Sequence, residues 1–252
     1  MPQHLTILTG ASRGMGLAMA RLLLKPGHAL LTLSRTTNAE LAAEAAQAGA
    51  TLEQWEQDLS QGLHAAARLR TWLANAPAGQ YASATLINNA GVVPRIAPLS
   101  GSDPADLAHA LRVGLEAPMQ LSGAFLGATE NWPVPRKVLN ISSGLGRRAM
   151  ASQAAYCAAK AGMDHFTRCL ALDEAAKPNG AKACSLAPGV IDTDMQAHLR
   201  DAHPADFPDV QNFANLKSGG MLTSPIEAAA RVLAWLERAD FGESPVADVR
   251  DA

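Results

Sequence analysis

Seven short apolar runs recur along the chain, with helical patterns between them. The runs lie at residues 4–9, 28–34, 51–57, 84–89, 136–142, 181–188 and 244–250. Apolar residues at helical spacing fill 15–25, 38–49, 63–76, 103–128, 152–176 and 224–238. Runs this short, bounded by turn residues, read as strands, and the longer periodic stretches read as helices. A strand that is followed each time by a helix returns through a right-handed crossover. The result is a mostly parallel sheet covered on both faces, an α/β doubly wound fold. No linker-like composition shift or internal repeat interrupts the pattern, so residues 1–252 are expected to form one domain. Hydrophobic residues make up 48% of the chain, enough for a sizeable core.

The first crossover carries the first functional signal. The stretch "TGASRGMG" (9–16) leaves the first strand and opens the first helix. Gly10 permits a tight exit, and Gly14 and Gly16 let backbone approach a ligand and the helix pack on the sheet. The free N–H groups at the helix start suit a pyrophosphate. Gly10, Ser12, Arg13, Gly14, Met15 and Gly16 are therefore the expected dinucleotide contacts. The spacing is G-x-x-x-G-x-G, and a plain strand-to-helix turn is the competing reading of the loop alone.

The second strand ends in Ser34 and Arg35, where an acid would hold the 2′-hydroxyl of NAD. Two guanidinium groups, Arg13 and Arg35, with the Ser34 hydroxyl suit a 2′-phosphate. The expected cofactor is therefore NADP(H).

With "NNAG" (88–91), "NISS" (140–143), "YCAAK" (156–160) and "PGVIDT" (188–193), the ordered motifs resemble those of the short-chain dehydrogenases/reductases over nearly the whole chain. The stretches "YCAAKAGMD", "APGVIDTDMQ" and the C-terminal "VLAWLERADFGESPVADVRD" are most similar to the branch of sepiapterin reductases and bacterial diketone (benzil-type) reductases. The resemblance implies a Rossmann-type sheet of about seven parallel strands and hydride transfer between a nicotinamide and a carbonyl carbon. By motif position it also implies adenine contacts from Asp58 and Leu59 and ribose contacts from Asn89, Ala90 and Gly91. Pro188, Gly189, Val190 and Thr193 would hold the nicotinamide end. Family members are mostly dimers or tetramers, so a homodimer or homotetramer is expected.

A tyrosine and a lysine four apart on one helix face are ordinary helix residues when alone. Beside a strand-end serine and a glycine loop they become chemistry. Carbonyl reduction needs a proton donor at the developing alkoxide. Tyr156 is the expected donor, and Lys160, one turn away, is expected to lower its pKa from near 10 and to bind the nicotinamide ribose. Ser143 ends the fifth strand and is expected to hold the substrate oxygen; Ser142 should face away by strand alternation. One position departs from the family. In "RVGLEAP", Gly114 stands where many members carry an asparagine whose main-chain carbonyl holds a relay water. Gly114 keeps a carbonyl, so activity is expected to survive.

Residues 194–222, rich in Asp, Pro, Asn and Gly, are expected to cover the substrate as a lid. Leu145 and Met150, between Ser143 and Tyr156, are expected substrate contacts. Asp248 aligns with the carboxylate that anchors the pterin in sepiapterin reductase, although an exposed acid at a strand end reads equally well. The expected reaction is reduction of a ketone or diketone. A non-catalytic NADP(H) sensor, or an epimerase or dehydratase using the same tyrosine, are the competing readings.

The remaining features mainly exclude. A net charge of −2 without long single-sign runs gives nucleic acid and anionic membranes no purchase. Three cysteines without CxxC spacing fit reduced thiols in the cytoplasm. Scattered histidines without paired spacing imply no metal. No signal peptide or apolar span of membrane length is read.

Overall fold

The computed structural model describes residues 2–77 and 79–251. Residues 1, 78 and 252 of the expected domain lie outside the described residues.

The sheet holds β1 (Gln3–Thr9), β2 (His28–Ser34), β3 (Thr51–Glu56), β4 (Tyr81–Asn88), β5 (Arg136–Ile141), β6 (Lys182–Ala187) and β7 (Val246–Asp248). Its order is β3-β2-β1-β4-β5-β6-β7, and every pair is parallel. The chain reverses its direction of travel across the sheet between β1 and β4. Ligands of such sheets bind in the crevice beyond the strand ends at that switch point.

Strand alternation divides the core. Leu5 and Ile7 of β1 face a cluster with α3 (Gly62–Ala74) and α5 (Ala117–Thr129), whereas Leu8 joins α1 (Gly14–Leu23) and α9 (Pro225–Leu236) on the other face. Polar residues and a glycine cap the helices. Asn38 accepts from the Leu41 N–H at the start of α2 (Ala39–Ala48), Gly49 ends it at φ 64°, and Ser224 and Glu227 make a capping box on α9.

Three sequence expectations change. The single helix expected over 103–128 is α4 (Pro104–Leu111), a π-helical turn at Arg112–Glu116, and then α5. Pro118 follows the π-helical turn directly, where the wider i→i−5 bonding already interrupts the regular ladder. Residues 194–222 are less irregular than their composition implies, since they contain α7 (Asp194–Arg200) and α8 (Val210–Ser218). Ile96, Leu199, Phe207 and Phe213 give this segment a small core of its own, with Val93 and Met150 packed against it. The last strand is shorter than 244–250. No helix among the described residues is long and apolar enough to cross a membrane.

Candidate active site

A cavity of about 780 Å³ lies along the carboxyl ends of the strands. Its floor begins at the glycine loop. Gly10 and Gly14 sit at φ 72° and 56°, where side chains are strained. A Cβ at Gly16 would stand 2.0 Å from the Gly10 carbonyl oxygen, so only glycine lets α1 start this close to the loop. Asn89 locks the arrangement by donating its side-chain amide to the Thr9 and Gly10 carbonyls, at 3.0 and 3.2 Å. The result is a bare backbone cradle at a helix N-terminus, whose shape and polarity suit a dinucleotide pyrophosphate.

Ser12, Arg13 and Met15 of the loop line the cavity. So do Ser34, Arg35, Asp58, Leu59, Ala90, Gly91, Pro188, Gly189, Val190 and Thr193. The groups read for a 2′-phosphate are not equally free. Ser34 is buried and its hydroxyl accepts from the Ala11 N–H at 2.8 Å, so it braces the loop. Arg13 reaches across to Asp194 at the head of α7, 3.1 Å away. Arg35 is exposed and has no ion pair among the described residues. Asp58 caps the short turn that follows β3, and the Ser60 N–H holds its carboxyl below the usual range.

α6 (Ala154–Ala175) brings Tyr156 and Lys160 to the same cavity. Buried hydrogen bonds set this helix against the strand ends. Asn88 donates to Asn140 at 2.8 Å, Asn140 donates to Thr167 at 2.8 Å, and Ser185 donates to Asp164 at 2.6 Å. Ser143, just past β5, lines the cavity with Tyr156, and its hydroxyl accepts from the Leu145 N–H at 3.2 Å. Ser142 is more deeply buried beside it, with no partner for its hydroxyl.

The electrostatics differ from the sequence expectation. Burial raises the Tyr156 phenol above its ordinary value near 10, and the Ser143 hydrogen bond offsets only part of that. The net shift is upward, so whatever the Lys160 ammonium contributes to the phenolate does not outweigh burial. The lysine is 4% exposed, and burial brings its own pKa down to about 8, opposed by Asp164. Its ammonium donates to the Ile141 carbonyl at 2.7 Å and stands 5.8 Å from the Tyr156 ring centroid.

Leu145 and Met150 line the cavity as expected, together with Val92, Val93, Phe213 and Leu216. Asp248 does not. Its carboxylate is buried and takes two side-chain hydrogen bonds from Arg250, at 2.8 and 2.6 Å, with Arg147 nearby at 4.0 Å. It braces the wall, and Arg250 is the residue that faces the cavity. The sequence motifs also pass over Gln153, the N-cap residue of α6. It is 1% exposed, lines the cavity, and its amide has no hydrogen-bond partner. No motif contains it; its one signal is a place three residues before Tyr156.

Gly114 lies in the π-helical turn, packed on α6 beside Lys160. A Cβ there would meet the Ala159 Cβ at 3.1 Å, tighter than packed side chains tolerate freely. Replacing Gly114 with Asn is expected to overpack this contact and cost about 1–3 kcal/mol. Thermal unfolding should fall by several degrees, and the pH profile of turnover should shift as Lys160 is displaced. An unchanged melting temperature and an unchanged profile would show that neither packing nor a relay depends on this position.

Comparison with known proteins agrees with this geometry. Residues 4–204 match the family described as short chain dehydrogenase. A benzil reductase ((S)-benzoin forming) of Bacillus cereus is 34% identical over 240 residues, covering 95% of this chain and 96% of its own. A sepiapterin reductase of Xenopus tropicalis is 33% identical over 246 residues, covering 92% and 91%. A solved metagenomic short-chain oxidoreductase in complex with NADP superposes with a TM-score of 0.73 at 26% identity, covering 98% of this chain and 95% of that one. With the parallel seven-stranded sheet, the glycine cradle and the Ser143–Tyr156–Lys160 cluster on one cavity, the chain belongs to the short-chain dehydrogenase/reductase family.

Proposed function

We propose that the chain is an NADP(H)-dependent carbonyl reductase acting on hydrophobic ketones or 1,2-diketones. The observation that carries this reading is the half-buried Tyr156, which lines one apolar-walled cavity together with Ser143 and Lys160. A phenol held above its ordinary pKa stays protonated at neutral pH, which is the state a proton donor for reduction requires. Bound in the glycine cradle, the dinucleotide supplies the hydride.

In this reading Ser143 holds the substrate oxygen and donates a hydrogen bond as negative charge develops there. Tyr156 delivers its proton to that oxygen. The Lys160 ammonium stabilises the phenolate left behind, and the Ile141 carbonyl fixes its position. In this reading the residues from 194 to 222 act as a lid; they have a small core of their own, and Phe213 and Leu216, which line the cavity, would cover the substrate. Arg35 favours NADP(H) over NAD(H). The relatives' names, benzil and sepiapterin reductase, point to a vicinal dicarbonyl or a pterin side-chain ketone. The apolar walls favour the former. Exposed Leu111, Met119 and Leu172 on α4, α5 and α6 support a homo-oligomer, and three free cysteines suit a reducing cytoplasm.

The test is NADPH consumption with benzil, 1-phenyl-1,2-propanedione and sepiapterin, with product analysis. The expected result is stoichiometric oxidation of NADPH with the aromatic diketones, giving hydroxyketones. NADPH binding without reduction of any of these carbonyls would favour the sensor reading instead.

A further inference from the structure

The substrate end of the cavity has a polar anchor that none of the motifs names. β7 pairs with β6 so that Asp248 lies opposite Ala187, and the Val249 N–H continues onto the Ala187 carbonyl at 3.0 Å. Arg250 therefore stands beside Pro188 and Gly189. It is five strand spacings from β2, roughly 24 Å, and so at the opposite end of the cavity from Arg35.

Asp248 fixes this arginine. Its side chain is 7% exposed; Oδ1 accepts from the Arg250 Nε at 2.8 Å and from its backbone N–H at 3.0 Å, and Oδ2 accepts from the Arg250 Nη2 at 2.6 Å. A fork of this kind sets the plane of the guanidinium. It uses two of the five side-chain donors. The rest of the group, 64% exposed as a side chain, belongs to the cavity wall. An uncovered aspartate here would take cations or amino donors. Braced under an arginine, the same position offers N–H donors and positive charge, so the polarity of the wall is inverted.

The other charges lining the cavity leave this intact. Asp192 is held by Lys217 and Arg200, Asp194 by Arg13, and Asp209 accepts from the Asn212 amide. Arg148, on the loop after β5, lines the same cavity and has no ion pair among the described residues. Asp209 keeps its charge and Asp251 lies near Arg250, and the donor groups for a ligand at this end are those of Arg250 and Arg148.

We propose that Arg250, braced by Asp248, forms an anion subsite, and that the preferred substrate is a ketone or diketone whose apolar body carries a carboxylate. This deepens, and rests on, the carbonyl-reductase reading.

The test compares benzil bearing a para-carboxylate with its methyl ester. NADPH-coupled turnover is one readout, and calorimetric binding to the NADP-loaded enzyme, which needs no turnover, is the second. The acid is expected to exceed the ester about 10-fold or more in both kcat/KM and affinity. Arg250→Gln should bring both ratios close to one. It should also uncover Asp248, so that benzamidine binds more tightly than to the unaltered enzyme. Asp248→Asn/Arg250→Gln, which leaves no bare buried carboxylate, should lose both preferences and guards against a folding defect. Equal binding of acid and ester by the unaltered enzyme, or a preference for the acid that survives in both variants, would overturn the subsite. Preferential binding of the acid without turnover of any ketone would support the subsite and count against the reductase reading.

Discussion

Tyr156→Phe should lower turnover about 10²- to 10⁴-fold, the range that a positioned proton donor contributes. The substitution keeps the half-buried ring and removes only the hydroxyl. NADPH affinity, read from the fluorescence of the bound nicotinamide, should stay within a few-fold. A loss smaller than tenfold would mean that the proton comes from elsewhere and would sink the assignment. The pH dependence follows from the same pair. Burial keeps the tyrosine protonated through neutral pH, so it does not limit reduction there. Lys160, with its pKa brought down to about 8, loses its charge as pH rises through that value, and with it the stabilisation of the phenolate. The kcat/KM for reduction should therefore be flat below about pH 8 and fall above it. A profile that stays flat to pH 10 would show that the lysine's charge is not needed.

Much of the fold and the site could be read without coordinates because local pattern and tertiary structure agree there. The alternation of β1 to β6 with helices leaves few ways to connect a parallel sheet, and the glycine loop is fixed by contacts so close that substitution is barred at Gly16. What could not be read depends on longer-range terms. The π-helical turn at Arg112–Glu116 leaves the apolar periodicity almost unchanged, so 103–128 looks like one helix. Tyr156 and Lys160 share a helix face as their spacing requires, yet spacing says nothing of how deeply each is buried. Burial decides their pKa values and reverses the expected sign for the tyrosine. Asp248 shows a missed local rule. Asp248 opens the turn that follows β7, where its carboxylate accepts the Arg250 N–H, and this Asx-type turn brings Arg250 over it.

The second large effect concerns the cofactor. Arg35→Asp should lower kcat/KM for NADPH about 100-fold, the equivalent of losing a pair of charge-assisted contacts to a phosphate. The new carboxylate would repel the 2′-phosphate and offer an acceptor to the 2′-hydroxyl of NADH, so activity with NADH should rise and the preference should invert. Three residues pointed to NADP(H), and the structure separates their parts. The Ser34 hydroxyl is taken up by the Ala11 N–H, and Arg13 is shared with Asp194, whereas Arg35 stands uncommitted at the end of β2. Arg13→Gln should therefore cost less than tenfold with NADPH, because the phosphate must already compete with Asp194 for that guanidinium. Steady-state kinetics with both cofactors on both variants decides the matter. Equal losses from the two substitutions would mean that Arg13 leaves Asp194 when the phosphate arrives, and a preference of the unaltered enzyme for NADH would overturn the NADP(H) assignment itself.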